Sequence, residues 1–214
     1  MSKLIEVLQA FDLRKTTADT IHEEFKKIAD VALNEGYFLV KLDERSKKIY
    51  PVEIEFYIYG EKESDQTEEK KWMCDYNMLH RHYDGINRKN VYTDEDENDK
   101  KYVDYFPDEG SLYPHKYGVD VTFESKKRQY RASFLIKKYR IDNPKGEIQK
   151  KATYLSEEIF GYAPFGTDGL HLEIKWIDDP TVRTGISGWK PRENFHKKNK
   201  ELDDKRWRCI KADW

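Results

Sequence analysis

The first regular pattern in the chain is helical. Apolar residues recur every three or four positions over about residues 18 to 34, which predicts an amphipathic helix. They are Ile21, Phe25, Ile28 and Ala32. Thr20 and Glu23 have the spacing of a capping box at its start, and Gly36 is a suitable stop. A short aromatic and aliphatic run, Tyr37 to Val40, is then predicted to be a strand.

The next segment alternates with period two, which predicts a strand with two distinct faces. Its apolar set is Val52, Ile54, Phe56 and Ile58, and its other set is Glu53, Glu55, Tyr57 and Tyr59. The apolar set should pack on a core. The opposite face should present two carboxylates and two phenols.

The remaining periodic segments complete a mixed set of elements. We predict further strands over 119–123, 130–141, 170–177 and 207–210, and a helix over 147–160. Between them, about residues 61 to 109 form a polar, acidic insertion without a strong period. We expect the whole chain, residues 1–214, to form one domain that carries this insertion.

Composition supports a folded chain but excludes a uniformly basic one. Charged residues make up 37% and aromatic residues 14% of the 214 positions, whereas disordered chains are poor in aromatics. The net charge of −2 is unlike the basic domain expected of a typical nucleic-acid-binding protein. There is no signal-like or membrane-spanning apolar run and no disulfide framework, so we expect a cytoplasmic protein without a membrane partner.

The charge is unevenly distributed along the chain. Residues 94–109 hold eight acids and two lysines, a net of −6, and residues 125–151 hold ten cations and two acids, a net of +8. These runs are either two solvated surfaces of opposite sign or a basic face for phosphates with an acidic insertion elsewhere.

Three groups of residues are candidates for chemistry. Glu55, among aromatic rings, would lose hydration, which favours a general base, although an ordinary strand surface is the alternative. The rings of residues 110–118 could stack on bases or simply pack on the sheet. His80 and His82 lack a third ligand at a persuasive spacing, so we predict neither a metal nor a cofactor. A glycoside hydrolase using Glu53 and Glu55 has no further support.

Short motifs in a fixed order extend over about residues 20 to 210. They are Gly36-Tyr37-Phe38-Leu39-Val40, Glu53-Ile54-Glu55-Phe56-Tyr57, Gly110-Ser111-Leu112-Tyr113 followed by Tyr117-Gly118, Leu135-Ile136-Lys137, Arg183-Thr184-Gly185-Ile186-Ser187 and Trp207-Arg208-Cys209. In this order they resemble the alkyladenine (3-methyladenine) DNA glycosylase family. Together with the predicted elements, the resemblance implies an α/β (α+β) domain with a curved, mainly antiparallel sheet and flanking helices.

The resemblance also implies roles for individual residues. Glu55 matches the glutamate that activates water, and Tyr57 matches the tyrosine that stacks on the flipped base. His115 takes the place of a second stacking ring, and Lys137 that of an arginine beside the catalytic glutamate. Tyr117 matches the side chain that wedges into the duplex. The predicted contacts to the DNA backbone are Lys126, Lys127, Arg128 and Arg183.

The function implied by the resemblance is base excision repair of alkylation damage. The protein would flip a damaged purine out of double-stranded DNA and hydrolyse its N-glycosidic bond without a cofactor, as a monofunctional glycosylase. The alternative is a non-catalytic protein on the same scaffold that binds a nucleotide or a protein through the aromatic cleft.

Overall fold

A computed structural model describes most of the chain outside the predicted insertion. The described residues are 1–42, 44–60, 72–73, 75, 109–115, 117–125, 127, 130–160, 172–193 and 205–212. His80 and His82, and nearly all of the insertion at 61–109, lie outside the described residues.

The described part contains three helices and eight strands. The helices are α1 (Lys3–Ala10), α2 (Ile21–Asn34) and α3 (Ala152–Phe160). The strands are β1 (Gly36–Leu42), β2 (Arg45–Tyr59), β3 (Leu112–His115), β4 (Gly118–Thr122), β5 (Arg131–Ile141), β6 (Leu172–Asp178), β7 (Ile186–Lys190) and β8 (Arg208–Lys211).

The strands form one antiparallel sheet in the order β3-β4-β5-β2-β1-β6. Strand β2 is long enough to pair twice along one edge, first with β1 and then, at Glu53 to Glu55, with β8. Strand β7 extends the sheet beyond β8. The sheet is strongly curled into a half-barrel, and the predicted α+β class is confirmed. That the whole chain forms a single domain stays a prediction.

Helix α2 packs its apolar stripe on the Phe56 face of β2. The predicted stripe residues are all buried, and the Phe25 ring stacks on Phe56 with a centroid distance of 4.3 Å. Phe25 also meets Trp207 edge-on at 5.3 Å. Large aromatic rings therefore build much of the core, as expected of a chain with few aliphatic residues.

Several local predictions were wrong in detail. The Thr20 side chain does not cap α2; its Oγ1 accepts a bond from the Thr17 N–H instead. The helix predicted from 147 begins at Ala152, because Gln149 forms a β-bridge with Tyr139. Within the predicted turn at 110–118 lies strand β3, and α1 was not predicted at all.

Candidate functional site

Both faces of the second half of β2 are buried, not just the apolar one. The side chains of Glu53 and Glu55 are fully buried, and Tyr57 is 5% exposed. The neighbouring strands place polar partners on the same face, with Ser133 opposite Tyr57 and Arg208 opposite Glu55. Burying two carboxylates is costly unless cations and donors accompany them, and β5 and β8 supply these.

Glu53 is held by close cations on both of its oxygens. Arg208 Nε donates to Oε1, and Lys138 Nζ lies 2.6 Å from Oε2. Arg208 also pairs through Nη1 with the half-exposed Glu193. These ion pairs compensate the charge of Glu53 and link β2 to β5 and β8.

Glu55 is held more loosely, with a close partner on only one of its oxygens. Tyr57 donates its hydroxyl proton to Oε1. Oε2 has two long contacts, with the Glu193 N–H at 3.4 Å and with Lys137 Nζ at 3.8 Å. Burial, and next the charge of Glu55, raise the pKa of Tyr57 well above its usual value, so the phenol stays protonated as a donor. The carboxylate is oriented at Oε1 and lightly engaged at Oε2.

A β-bulge explains why adjacent lysines serve both carboxylates. In register, Glu53 lies opposite Lys138 and Ile54 opposite Ile136, which leaves Lys137 as the extra residue of β5. Successive residues of a regular strand point to opposite faces, and a bulge redirects a side chain. Lys137 and Lys138 therefore reach Glu55 and Glu53 on the same face.

Arg192 is a site residue that the sequence analysis missed. Its guanidinium lies between two rings, 5.0 Å from the centroid of Tyr57 and 5.2 Å from that of Trp207. Its Nη1 donates to the Phe56 carbonyl at 3.0 Å and pairs with the buried Asp75. Arg192 therefore covers one face of the ring that was predicted to stack on a base. No motif signals this contact, because Arg192 and Tyr57 are far apart in the chain.

The basic run at 125–151 is partly internal. Arg131 pairs with buried Glu124 at 2.6 Å, and Lys137 and Lys138 reach the β2 carboxylates. Exposed cations in the described part of this run are Lys127, Lys145, Lys150 and Lys151. Several cations of this run therefore act as counterions to buried carboxylates, and others are exposed. Both predictions, a solvated surface and a phosphate-binding face, had placed the run on the surface.

The other predicted site residues lie at different places. Tyr117 is 52% exposed in the turn between β3 and β4, and the backbone of His115 pairs with Gly118 in that hairpin. Lys127 is exposed, whereas Lys126 and Arg128 lie outside the described residues.

Arg183 is engaged on the opposite side of β2 from Glu55. Its Nη2 lies 2.6 Å from both Asp30 and Glu35, in α2 and directly after it. Helix α2 packs on the Phe56 face of β2. The structure thus brings together Glu55, Tyr57 and Lys137 of the predicted set, and Arg183 is not near them.

We expect Tyr57→Phe to weaken the fold through the loss of one buried hydrogen bond. The change leaves Glu55 Oε1 without the phenol donor, and an unpaired buried acceptor costs about 1–3 kcal/mol. Urea unfolding followed by tryptophan fluorescence would measure this loss. Tyr154→Phe, on the surface of α3, is the matched control and should change the unfolding free energy little; an equal loss in both variants would contradict the assignment.

Other kinds of site find little support in the described residues. No group of three or more His, Cys, Asp or Glu side chains in this part of the chain could hold a metal ion. Burial raises the pKa of the Cys209 thiol to about 12, so this thiol is not a nucleophile at neutral pH. No helix in the described part is long and apolar enough to cross a membrane.

Comparison of the chain with protein-family models, with curated proteins and with solved structures finds no match.

Proposed function

We propose that the protein is a DNA glycosylase that removes an alkylated purine from double-stranded DNA, with Glu55 activating water. The observation that carries the proposal is the unequal treatment of two adjacent buried carboxylates. Glu53 has a close cation on each oxygen, whereas Glu55 has one oxygen oriented by Tyr57 and the other in long contacts only. A carboxylate that is fixed at one oxygen and lightly engaged at the other suits a general base.

The chemistry uses side chains of this chain alone. Water attacks C1′ of the deoxyribose while Glu55 Oε2 accepts one of its protons, and the C1′–N bond breaks. The bonding electrons pass to the base, which leaves neutral if alkylation has made it cationic. The products are the free base and an abasic site. Lys137 Nζ lies 3.8 Å from Oε2 and places a positive charge beside this oxygen.

The DNA partner is supported by the exposed ring of Tyr117. Enzymes that act on a base within a duplex must extrude it, at a cost of a few kcal/mol. A ring inserted where the base was offsets part of that cost. Tyr117 lies in the turn between β3 and β4 and is 52% exposed, a position that suits this role.

A non-catalytic binding protein is the second candidate. It is favoured by the closure of the site, because Glu55 is fully buried and Arg192 covers one face of the Tyr57 ring. Excision requires Arg192 to move or the base to approach the opposite face of the ring. A binding protein needs neither.

Base release separates the two candidates. The wild-type protein would be incubated with duplexes that carry 3-methyladenine, 7-methylguanine or hypoxanthine, and with an undamaged duplex, and free base would be measured by chromatography. We expect release from an alkylated duplex and none from the undamaged one. DNA binding without release from any of these duplexes would overturn the glycosylase proposal and favour the binding protein.

A further inference from the structure

Two exposed tyrosines belong to neighbouring segments of the surface. Tyr117 and Tyr154 are 52% and 46% exposed, and among the described residues Met1 is the other large apolar side chain that is exposed. Tyr117 directly precedes Gly118, where an added Cβ would lie 3.0 Å from the Ala152 carbonyl oxygen. Tyr154 follows Ala152 by two residues in the first turn of α3. The β3–β4 turn and the start of α3 therefore lie against each other.

Two exposed lysines directly precede α3 in the chain. Lys150 and Lys151 are exposed and immediately precede α3, whose first turn contains no acidic residue. Neither forms an ion pair with another described residue, unlike Lys137, Lys138 and Arg131 on β5. Lys151 Nζ lies 2.9 Å from the Tyr154 hydroxyl oxygen, to which it donates. Because this bond uses the phenol as an acceptor, the phenol O–H remains a donor for another group.

We infer that Lys150, Lys151 and Tyr154 bind phosphates of duplex DNA next to the step that Tyr117 wedges open. The inference rests on the proposed function for the role of Tyr117. Two ammonium groups and one phenolic O–H can all donate hydrogen bonds, and lysine and tyrosine commonly donate to phosphate oxygens. We name this set, Lys150, Lys151 and Tyr154, the α3 anchor.

The α3 anchor is better placed than the basic turn predicted from the sequence. Lys127 lies in the turn after β4, whereas Tyr117 precedes β4. Six residues lie between Gly118 and Ser125, and the seven steps along the chain span up to about 23 Å at 3.3 Å per residue. Ala152, which lies between Lys151 and Tyr154 in the chain, instead packs against Gly118, so the α3 anchor is close enough to contact phosphates that flank the wedge.

The salt dependence of binding to undamaged duplex DNA tests the inference without requiring catalysis. Each phosphate contact contributes about 0.9 to the slope of log affinity against log salt. The Lys150→Gln/Lys151→Gln variant should therefore lose about 1.8 from the slope measured by fluorescence anisotropy. Between about 50 and 200 mM salt, wild-type affinity should fall about 12-fold more than that of the variant.

The matched control is Lys26→Gln/Lys27→Gln in α2, which removes the same charge from lysines paired with Glu23 and Glu24. Its slope should equal that of the wild type.

Three results would overturn the α3 anchor: equal slopes in all three proteins, equal decreases of the slope in both variants, or no duplex binding by the wild type. If the wild type releases base but the Lys150→Gln/Lys151→Gln variant keeps the wild-type slope, the anchor alone is wrong. If that variant has the reduced slope but the wild type releases no base, the glycosylase proposal alone is wrong.

Discussion

Glu55→Gln should reduce base release about 10²–10⁴-fold, the usual contribution of a positioned general base. Glutamine has nearly the same shape and still accepts the Tyr57 hydroxyl bond through its carbonyl oxygen, and the contacts that its amide group replaces, with the Glu193 N–H at 3.4 Å and Lys137 Nζ at 3.8 Å, are long ones. It cannot take a proton from water at neutral pH. Single-turnover release of base from an alkylated duplex, with enzyme in excess, measures the chemical step separately from product dissociation.

The matched control for this prediction is Glu23→Gln. Glu23 is an exposed carboxylate of α2, and α2 packs on the face of β2 opposite Glu55. Its variant should release base at the wild-type rate. Glu55→Gln should also bind undamaged duplex as the wild type does, because Glu55 is buried. A Glu55→Gln variant that excises at the wild-type rate would show that another group activates the water.

Glu53→Gln should lower the free energy of unfolding by about 3–5 kcal/mol, the cost of breaking a buried ion pair by removing one partner. Arg208 and Lys138 both reach Glu53, and their side chains are only 10% and 16% exposed. Without the carboxylate, these partly desolvated cations face each other with less compensating charge. Chemical denaturation by urea at neutral pH measures the loss.

Glu193→Gln gives the contrast, because Glu193 pairs with the same Arg208 but is 57% exposed. Surface ion pairs contribute about 0–1 kcal/mol, so this variant should be close to the wild type in stability. Similar losses from Glu53→Gln and Glu193→Gln would mean that burial does not set the strength of the Glu53 pair. The pair would then not be what joins β2, β5 and β8.

Much of the secondary structure follows from local spacing. The apolar stripe of α2 and the alternation in β2 could be predicted from the sequence because side-chain direction repeats every 3.6 residues in a helix and every two in a strand. The same rule places Glu55 and Tyr57 on one face, where the structure brings them into contact. By contrast, the boundary of α3 depended on the bridge between Gln149 and Tyr139, which joins separate segments and leaves no local pattern.

The sequence by itself determined the alternation that puts two carboxylates and two phenols on one side of β2, together with an excess of cations later in the chain. Only the tertiary structure decided that this side is buried and how the carboxylates differ. The bulge at Lys137 and the pairing of β8 with β2 give Glu53 two close cations and leave Glu55 with a distant one. The bulge, the strand register and the contact of Arg192 with Tyr57 all depend on segments that are far apart in the chain. Their energies depend on the curled sheet as a whole, so the spacing of residues along the chain does not encode them.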